Sequence, residues 1–136
     1  MKRFFAVLLA LASAAAVAAD YPAPHEGSWG VRDFKFHTGE VLPELRLHYT
    51  TVGAPTGEPV LLLHGTNGSG TGLLNPNFAG ELFGPGQPLD ARRYYVILPD
   101  AIGTGKSSKP SDGLRTRFPK YNYVDMVDGQ YRLVRE

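Results

Sequence analysis

The sequence has no cysteine and almost no excess of either charge, with 14 Lys and Arg against 13 Asp and Glu among its 136 residues. The lack of cysteine excludes a disulfide scaffold, a Cys-based zinc site and a cysteine nucleophile. A net charge of +1 provides no strong positive field for nucleic acid, so we expect no nucleic-acid partner. The longest apolar run lies at the amino terminus and is shorter than the about 20 residues that a membrane-spanning helix needs.

That amino-terminal run has the organisation of a secretory signal peptide. Residues 1–3 include Lys2 and Arg3, residues 4–17 are apolar and rich in alanine, and small residues precede Asp20. A basic start, an apolar stretch and an Ala-x-Ala-like site define such a signal. We therefore predict a signal peptide over residues 1–19 and a folded domain over residues 20–136. The expected location is secreted or periplasmic, with no membrane contact after cleavage.

The next segments alternate between apolar and polar residues and then become continuously apolar. Alternation over 34–36 and 45–52, with a turn at 38–40, predicts an antiparallel hairpin with one solvated face. The runs 60–63 and 94–98 predict strands of a parallel sheet that are buried on both faces. Residues 65–93 are long enough for the crossover between them, with a short helix at 78–83.

A second helix is predicted over residues 123–134. Its apolar residues Val124, Val127, Tyr131 and Val134 are spaced by three or four positions, which places them on one helical face. We expect this face to be the packed one. Gly129 weakens the helix by roughly 1 kcal/mol relative to alanine.

One glycine-rich segment follows directly after a predicted buried strand. It begins His64-Gly65-Thr66 and continues to Gly70. Glycines allow sharp turns that expose backbone N–H groups, and such groups beyond the carboxyl end of a parallel strand suit a developing oxyanion. The segment is equally consistent with a plain flexible turn, because Gly and Asn commonly mark loops.

Two further features bear on whether the chain holds a nucleotide or a metal ion. The segment 100–107 resembles a phosphate-binding loop, but Asp100 stands where the first glycine belongs, and Pro110 follows where a helix should run. We therefore expect no nucleotide site. The four histidines lack ligand spacing, so we expect no metal and no other cofactor. His48, inside a predicted strand, is expected at the surface or half-buried.

Taken in order, these pieces resemble the amino-terminal half of an α/β-hydrolase. The resemblance rests on a hairpin, a strand ending in His64-Gly65, a second strand ending at Asp100, and the D-x-x-G-x-G-x-S segment 100–107. The stretch 118–127 further resembles the homoserine O-acetyltransferase branch, with Asn122 where that branch has Thr. The resemblance implies an α/β fold in which an antiparallel hairpin leads into parallel strands with crossover helices. It also implies that the backbone N–H of Thr66, beside His64 and Gly65, is one oxyanion donor.

The chain departs from that family at the nucleophile. No serine here has glycine at both the −2 and +2 positions, so the G-x-S-x-G elbow, the acid and the catalytic histidine are absent. We expect an incomplete domain, truncated before the elbow, from an exported hydrolase that acts on a small-molecule ester or amide. The alternatives are an acyltransferase like the homoserine O-acetyltransferases and a non-catalytic truncated remnant. An open sheet edge would allow self-association.

Overall fold

The computed structural model describes residues 20–136, which form one mixed sheet with two helices and three 3₁₀ turns. The strand order is β1-β2-β4-β3. The strands are β1 His25–Lys35, β2 Val41–Val52, β3 Glu58–Leu61 and β4 Tyr94–Pro99. The helices are α1 Ala79–Leu82 and α2 Tyr123–Arg135, and the 3₁₀ turns are Thr71–Leu73, Pro110–Asp112 and Arg115–Arg117.

The predicted hairpin is confirmed and is longer than the sequence pattern indicated. β1 pairs with β2 in antiparallel register from His25 opposite Thr51 to Lys35 opposite Val41. The connecting turn is closed by the Gly39 amide, which donates to the carbonyl of Phe36 at 2.8 Å. This hairpin forms one edge of the sheet and carries the residues that later contact α2.

The predicted parallel pair is also confirmed, but the predicted burial of its first strand is wrong. β3 pairs in parallel with β4, and the segment between them contains α1. Among the described residues β3 is the edge strand, and Leu61 and Leu63 are 38% and 53% exposed. Their apolar pattern does not produce burial here, because β3 has a described neighbour on one side only.

The sheet separates two apolar cores. One lies beneath α2 and contains Phe34, Phe36, Leu42, Leu45, Leu47, Ile102 and Phe118. The other lies beneath α1 and contains Val52, Ala79, Phe83, Ala91, Val96 and Leu98. In β4 the alternate residues Val96 and Leu98 are fully buried while Tyr95 and Ile97 are half-buried, so the strand is well covered on one face only.

Helix α2 forms where it was predicted, but the wrong face was expected to pack. The apolar residues Val124, Val127, Tyr131 and Val134 are exposed. The helix instead buries Asp125, Gly129 and Gln130. A Cβ at Gly129 would lie 3.4 Å from Leu47, so this position of the helix faces the sheet. Met126 and Leu133 also pack against the core beneath α2, so the helix turns this face, and not the exposed apolar stripe, toward the sheet.

The predicted signal peptide, residues 1–19, lies outside the described residues. Within residues 20–136 no helix is both long enough and apolar enough to cross a membrane.

Candidate active site

A cleft of about 510 Å³ opens beyond the carboxyl ends of β3 and β4. Three segments line it: the loop after β3, the loop after β4 and the start of α2. The lining residues are His64, Gly65, Thr66, Asn67, Ala101, Ile102, Thr104, Tyr121, Asn122, Tyr123 and Met126. Because this set contains no Asp, Glu, Lys or Arg, backbone groups and neutral side chains determine what the cleft can bind.

The loop after β3 brings together the three residues that the sequence singled out. His64, Gly65 and Thr66 all line the cleft. The turn is closed by the Gly68 amide, which donates to the carbonyl of Gly65 at 3.0 Å, and Asn67 takes a left-handed φ of 59°. Asn tolerates that conformation better than most residues. Thr66 is an exposed residue, and its amide donates to no group within residues 20–136.

His64 joins the loop after β3 to the loop after β4. The Ala101 amide lies 3.0 Å from Nε2, and because an amide only donates, Nε2 must be the unprotonated nitrogen. Nδ1 then carries the proton and donates to the carbonyl of Gly65 at 2.8 Å. Both ring nitrogens therefore form hydrogen bonds that hold the loop in place, so neither is free to act as a general base.

The Asp100 carboxylate organises the D-x-x-G-x-G-x-S segment. One of its oxygens accepts the amide of Gly70 at 2.7 Å, and the other accepts the amide of Lys106 at 2.8 Å. Gly105, with a left-handed φ of 52°, lies so close that a Cβ there would overlap this carboxylate. The motif thus serves as a scaffold that ties the loop after β3 to the loop after β4.

The same segment is fastened to β2 by its serines. The Ser107 hydroxyl accepts the amide of His48 at 2.9 Å and donates to the carbonyl of Asp100 at 2.7 Å. The Ser108 hydroxyl accepts the amide of Arg46 at 2.9 Å. The sequence pattern of 100–107 indicated a family motif or a phosphate-binding loop, but not these hydrogen bonds to β2. Its several short hydroxyl and carboxylate side chains among glycines were the signal for a hydrogen-bonded loop.

Lys106 connects the segment after β4 to β1. Its ammonium lies 2.5 Å from Glu26 of β1. The hydrogen bond from Lys106, followed by the one from His48, lowers the pKa of the Glu26 carboxyl. The ammonium of Lys106 is therefore paired with Glu26, and its amide is bound by Asp100.

His48 is buried, which contradicts its expected place at the surface or half-buried. Its Nδ1 lies 3.0 Å from Asp100 and its Nε2 lies 2.9 Å from Glu26. The alternation of β2 directs Leu45 and Leu47 into the core beneath α2 and leaves His48 to the other face of the sheet. There the loop after β4 covers it, a contact that the sequence pattern of β2 does not reveal.

The start of α2 forms the third wall of the cleft. Two side chains there, those of Asn122 and Asp125, cap the first turn of the helix by accepting backbone amides. The Asn122 side chain accepts the amide of Val124 at 2.8 Å, and Asp125 accepts the amide of Asn122 at 2.9 Å. Asp125 also accepts the amide and the ring Nδ1 of His37, each at 2.7 Å. Burial opposes ionisation of Asp125, but these hydrogen bonds outweigh it and lower its pKa.

Within residues 20–136 no three or more His, Cys, Asp or Glu side chains are placed to hold a metal ion. The donors available at the cleft are therefore backbone amides and the hydroxyl and amide side chains around them. Such donors can stabilise negative charge on an oxygen atom, which is the chemistry of acyl transfer.

Comparisons with known proteins agree with this geometry. No protein-family model matches the chain. A homoserine O-acetyltransferase from Thermobifida fusca is 32% identical over 145 aligned positions, covering 85% of this chain and 38% of that enzyme. Among solved structures, a homoserine O-acetyltransferase from Staphylococcus aureus matches with a TM-score of 0.65 at 22% identity, covering 83% of this chain and 35% of that one. The acetyl esterase MekB matches with a TM-score of 0.70 at 22% identity, covering 82% and 33%.

The described residues therefore form the amino-terminal part of an α/β-hydrolase fold. The chain spans about a third of the length of the relatives it matches. Its sequence is similar to that of homoserine O-acetyltransferases.

Proposed function

We propose that this chain supplies the oxyanion-binding loop of an acyl-transfer site that acts on a small-molecule ester or amide. The observation that carries the proposal is Thr66, an exposed residue that lines a cleft without charged side chains and whose amide donates to no described residue. A carbonyl oxygen that gains negative charge in the transition state is the natural acceptor for such a donor. His64 and Gly65 hold the loop, and neither acts as nucleophile or base.

The nucleophile, the acid and the catalytic histidine are not assigned to any residue of this chain. None of its serines lies in G-x-S-x-G, and both ring nitrogens of His64 are already in hydrogen bonds. A serine hydrolase needs nucleophile, base and oxyanion donors together. We therefore expect a fluorophosphonate probe not to label the 136-residue chain. Labelling above that of a heat-denatured control would show that a nucleophile is present.

Transfer to water and transfer to another acceptor use the same oxyanion loop. Homoserine acetyl transfer belongs to amino-acid metabolism inside the cell, and the predicted signal peptide over residues 1–19 fits that poorly. We therefore favour an exported hydrolase, secreted or periplasmic, over an acyltransferase. The amino terminus of secreted material should begin at Ala19 or Asp20, and an intact Met1 there would count against export.

The coding sequence after Glu136 separates the enzyme from the non-catalytic alternative. Continuation into a strand and G-x-S-x-G supports the enzyme, whereas a stop codon supports the remnant. For a longer product, release of acetate from an acetyl ester should not depend on added homoserine. Formation of O-acetylhomoserine from acetyl-CoA as the faster reaction would instead identify the acyltransferase.

A further inference from the structure

A cluster of charged and titratable side chains is buried at His48 and Asp100 and exposed at Glu26 and Lys106, and the proposed acyl-transfer chemistry does not use it. It joins Glu26 of β1, His48 of β2, and Asp100 and Lys106 of the segment after β4. His48 and Asp100 are only 5% and 2% exposed, while Glu26 lies at the surface end of the cluster. Arg46 also faces it, since its guanidinium donates to the carbonyl of Lys106 at 3.2 Å.

Both contacts of the His48 ring are to carboxylates. Nδ1 faces the Asp100 carboxylate at 3.0 Å and Nε2 faces the Glu26 carboxylate at 2.9 Å. An ionised carboxylate only accepts hydrogen bonds, so each ring nitrogen needs its own proton to bond there. The arrangement is satisfied when His48 is an imidazolium between two carboxylates.

The buried Asp100 carboxylate depends on such a partner. A buried charge is tolerated when it is paired and hydrogen-bonded, and removal of the partner leaves an uncompensated charge. The Asp100 oxygens accept the amides of Gly70 and Lys106, and Nδ1 of His48 lies 3.0 Å from one of them. Gly70 packs so tightly against the backbone of Leu98 that no side chain fits there, and it ends the segment that begins at His64.

We propose that His48 is a positioning residue for the cleft: as an imidazolium between Glu26 and Asp100, it holds the carboxylate that anchors the amides of Gly70 and Lys106. The loop that carries Thr66 is thereby fixed from behind at Gly70. The consequence for catalysis rests on the proposed function, whereas the anchoring itself does not. His48 touches no substrate and acts only through Asp100.

The ring nitrogens of His48 test the protonation state directly in the unaltered chain. In nitrogen-15 NMR spectra at pH 7, both His48 nitrogens should carry protons, while His64 should show the neutral ring with its proton on Nδ1. When the pH is raised until His48 loses a proton, exchange of the Gly70 and Lys106 amides should rise more than that of Leu62. A neutral His48 ring at pH 7 would overturn the proposal.

Amide exchange in a matched set of variants tests the anchoring. In His48→Gln, the Gly70 and Lys106 amides should exchange about 10- to 100-fold faster, as expected for weakening of hydrogen bonds to a charged group. The Leu62 amide, which bonds to Ile97 at 2.9 Å and does not touch the cluster, reports overall stability. His25→Gln, at an exposed position of β1, is the control and should change none of them.

Equal acceleration of all three amides in His48→Gln would mean general destabilisation and would contradict the proposal. If that variant does not fold, Glu26→Gln provides the second test, because Glu26 is half exposed and its change leaves the core intact. It should accelerate the Gly70 and Lys106 amides relative to Leu62, and no relative change would overturn the proposal.

The effect on catalysis is measured separately, in a product that also contains a nucleophile. His48→Gln should lower kcat by about 10- to 100-fold and change KM less than about 2-fold, because misplacing the loop affects the transition state most. Absence of activity in the unaltered protein would count against the proposed function, while the exchange and ring-nitrogen results would still decide the role of His48. A normal kcat with accelerated exchange would remove the catalytic consequence.

Discussion

Replacing Gly129 by alanine tests how helix α2 lies against the sheet. A Cβ there would be 3.4 Å from Leu47, 3.6 Å from Ile102 and 3.7 Å from Leu45, all ordinary van der Waals separations. Alanine therefore fits without displacing the helix. It removes a glycine penalty of about 0.8–1 kcal/mol and buries a methyl group worth up to about 0.8 kcal/mol. We expect the free energy of unfolding to rise by about 1 kcal/mol.

The assay is urea denaturation followed by circular dichroism, with Val127→Ser as the matched variant. Val127 is 61% exposed, so its replacement should change the free energy of unfolding by less than about 0.5 kcal/mol. If the apolar stripe were the packed face, the same change would cost about 1.5–3 kcal/mol. A destabilised Gly129→Ala together with a strongly destabilised Val127→Ser would refute the observed rotation of α2.

Three further predictions concern the walls of the cleft and the sheet edge. The pKa of Asp125 is lowered by its hydrogen bonds, so the stability it contributes is full above its ordinary pKa of about 3.9 and is lost as the pH falls through the lowered value. The stability difference between the unaltered chain and Asp125→Asn should therefore shrink on acidification, and a constant difference in denaturation curves from pH 6 to pH 2.5 would contradict this. His64→Ala should destabilise the chain by about 1–3 kcal/mol in the same assay, because the Ala101 amide loses its acceptor; an unchanged midpoint would show that this hydrogen bond is dispensable. Leu61→Lys, on the exposed edge strand, should reduce any concentration-dependent association seen by analytical ultracentrifugation, and equal association would place the contact elsewhere.

The elements that the sequence predicts well are those whose pattern depends on local neighbours. Alternation in β2 places Leu45 and Leu47 on one face, and this was enough to predict the hairpin. Helix α2 was also predictable, because apolar residues spaced by three or four positions continue over residues 123–134, and a loop shows no such periodicity. Its rotation was not, since the buried residues of its packed face are Asp125, Gly129 and Gln130, and a hydrophobicity pattern assigns no packing role to glycine or to polar residues.

The candidate site was predictable only in part, for a related reason. The loop at His64–Thr66 comes soon after a predicted strand, so its place beyond the carboxyl end of that strand followed from the chain order. The partners of Asp100 lie 30 and 52 positions away, at Gly70 and His48. Hydrogen bonds over such distances leave no periodic trace in the sequence. The burial of His48 depended on the same long-range contacts and was therefore missed.

The central claim is that the Thr66 backbone amide donates to the oxyanion, and one comparison of variants tests it most directly. In a product that contains a nucleophile, Thr66→Ala retains the amide and should have little effect, whereas Thr66→Pro removes it. Loss of one oxyanion donor should lower kcat by about 10²–10³-fold with less effect on KM, with circular dichroism confirming that the variant is folded. A folded Thr66→Pro variant with near-normal kcat would contradict the oxyanion role and leave the segment as a plain turn.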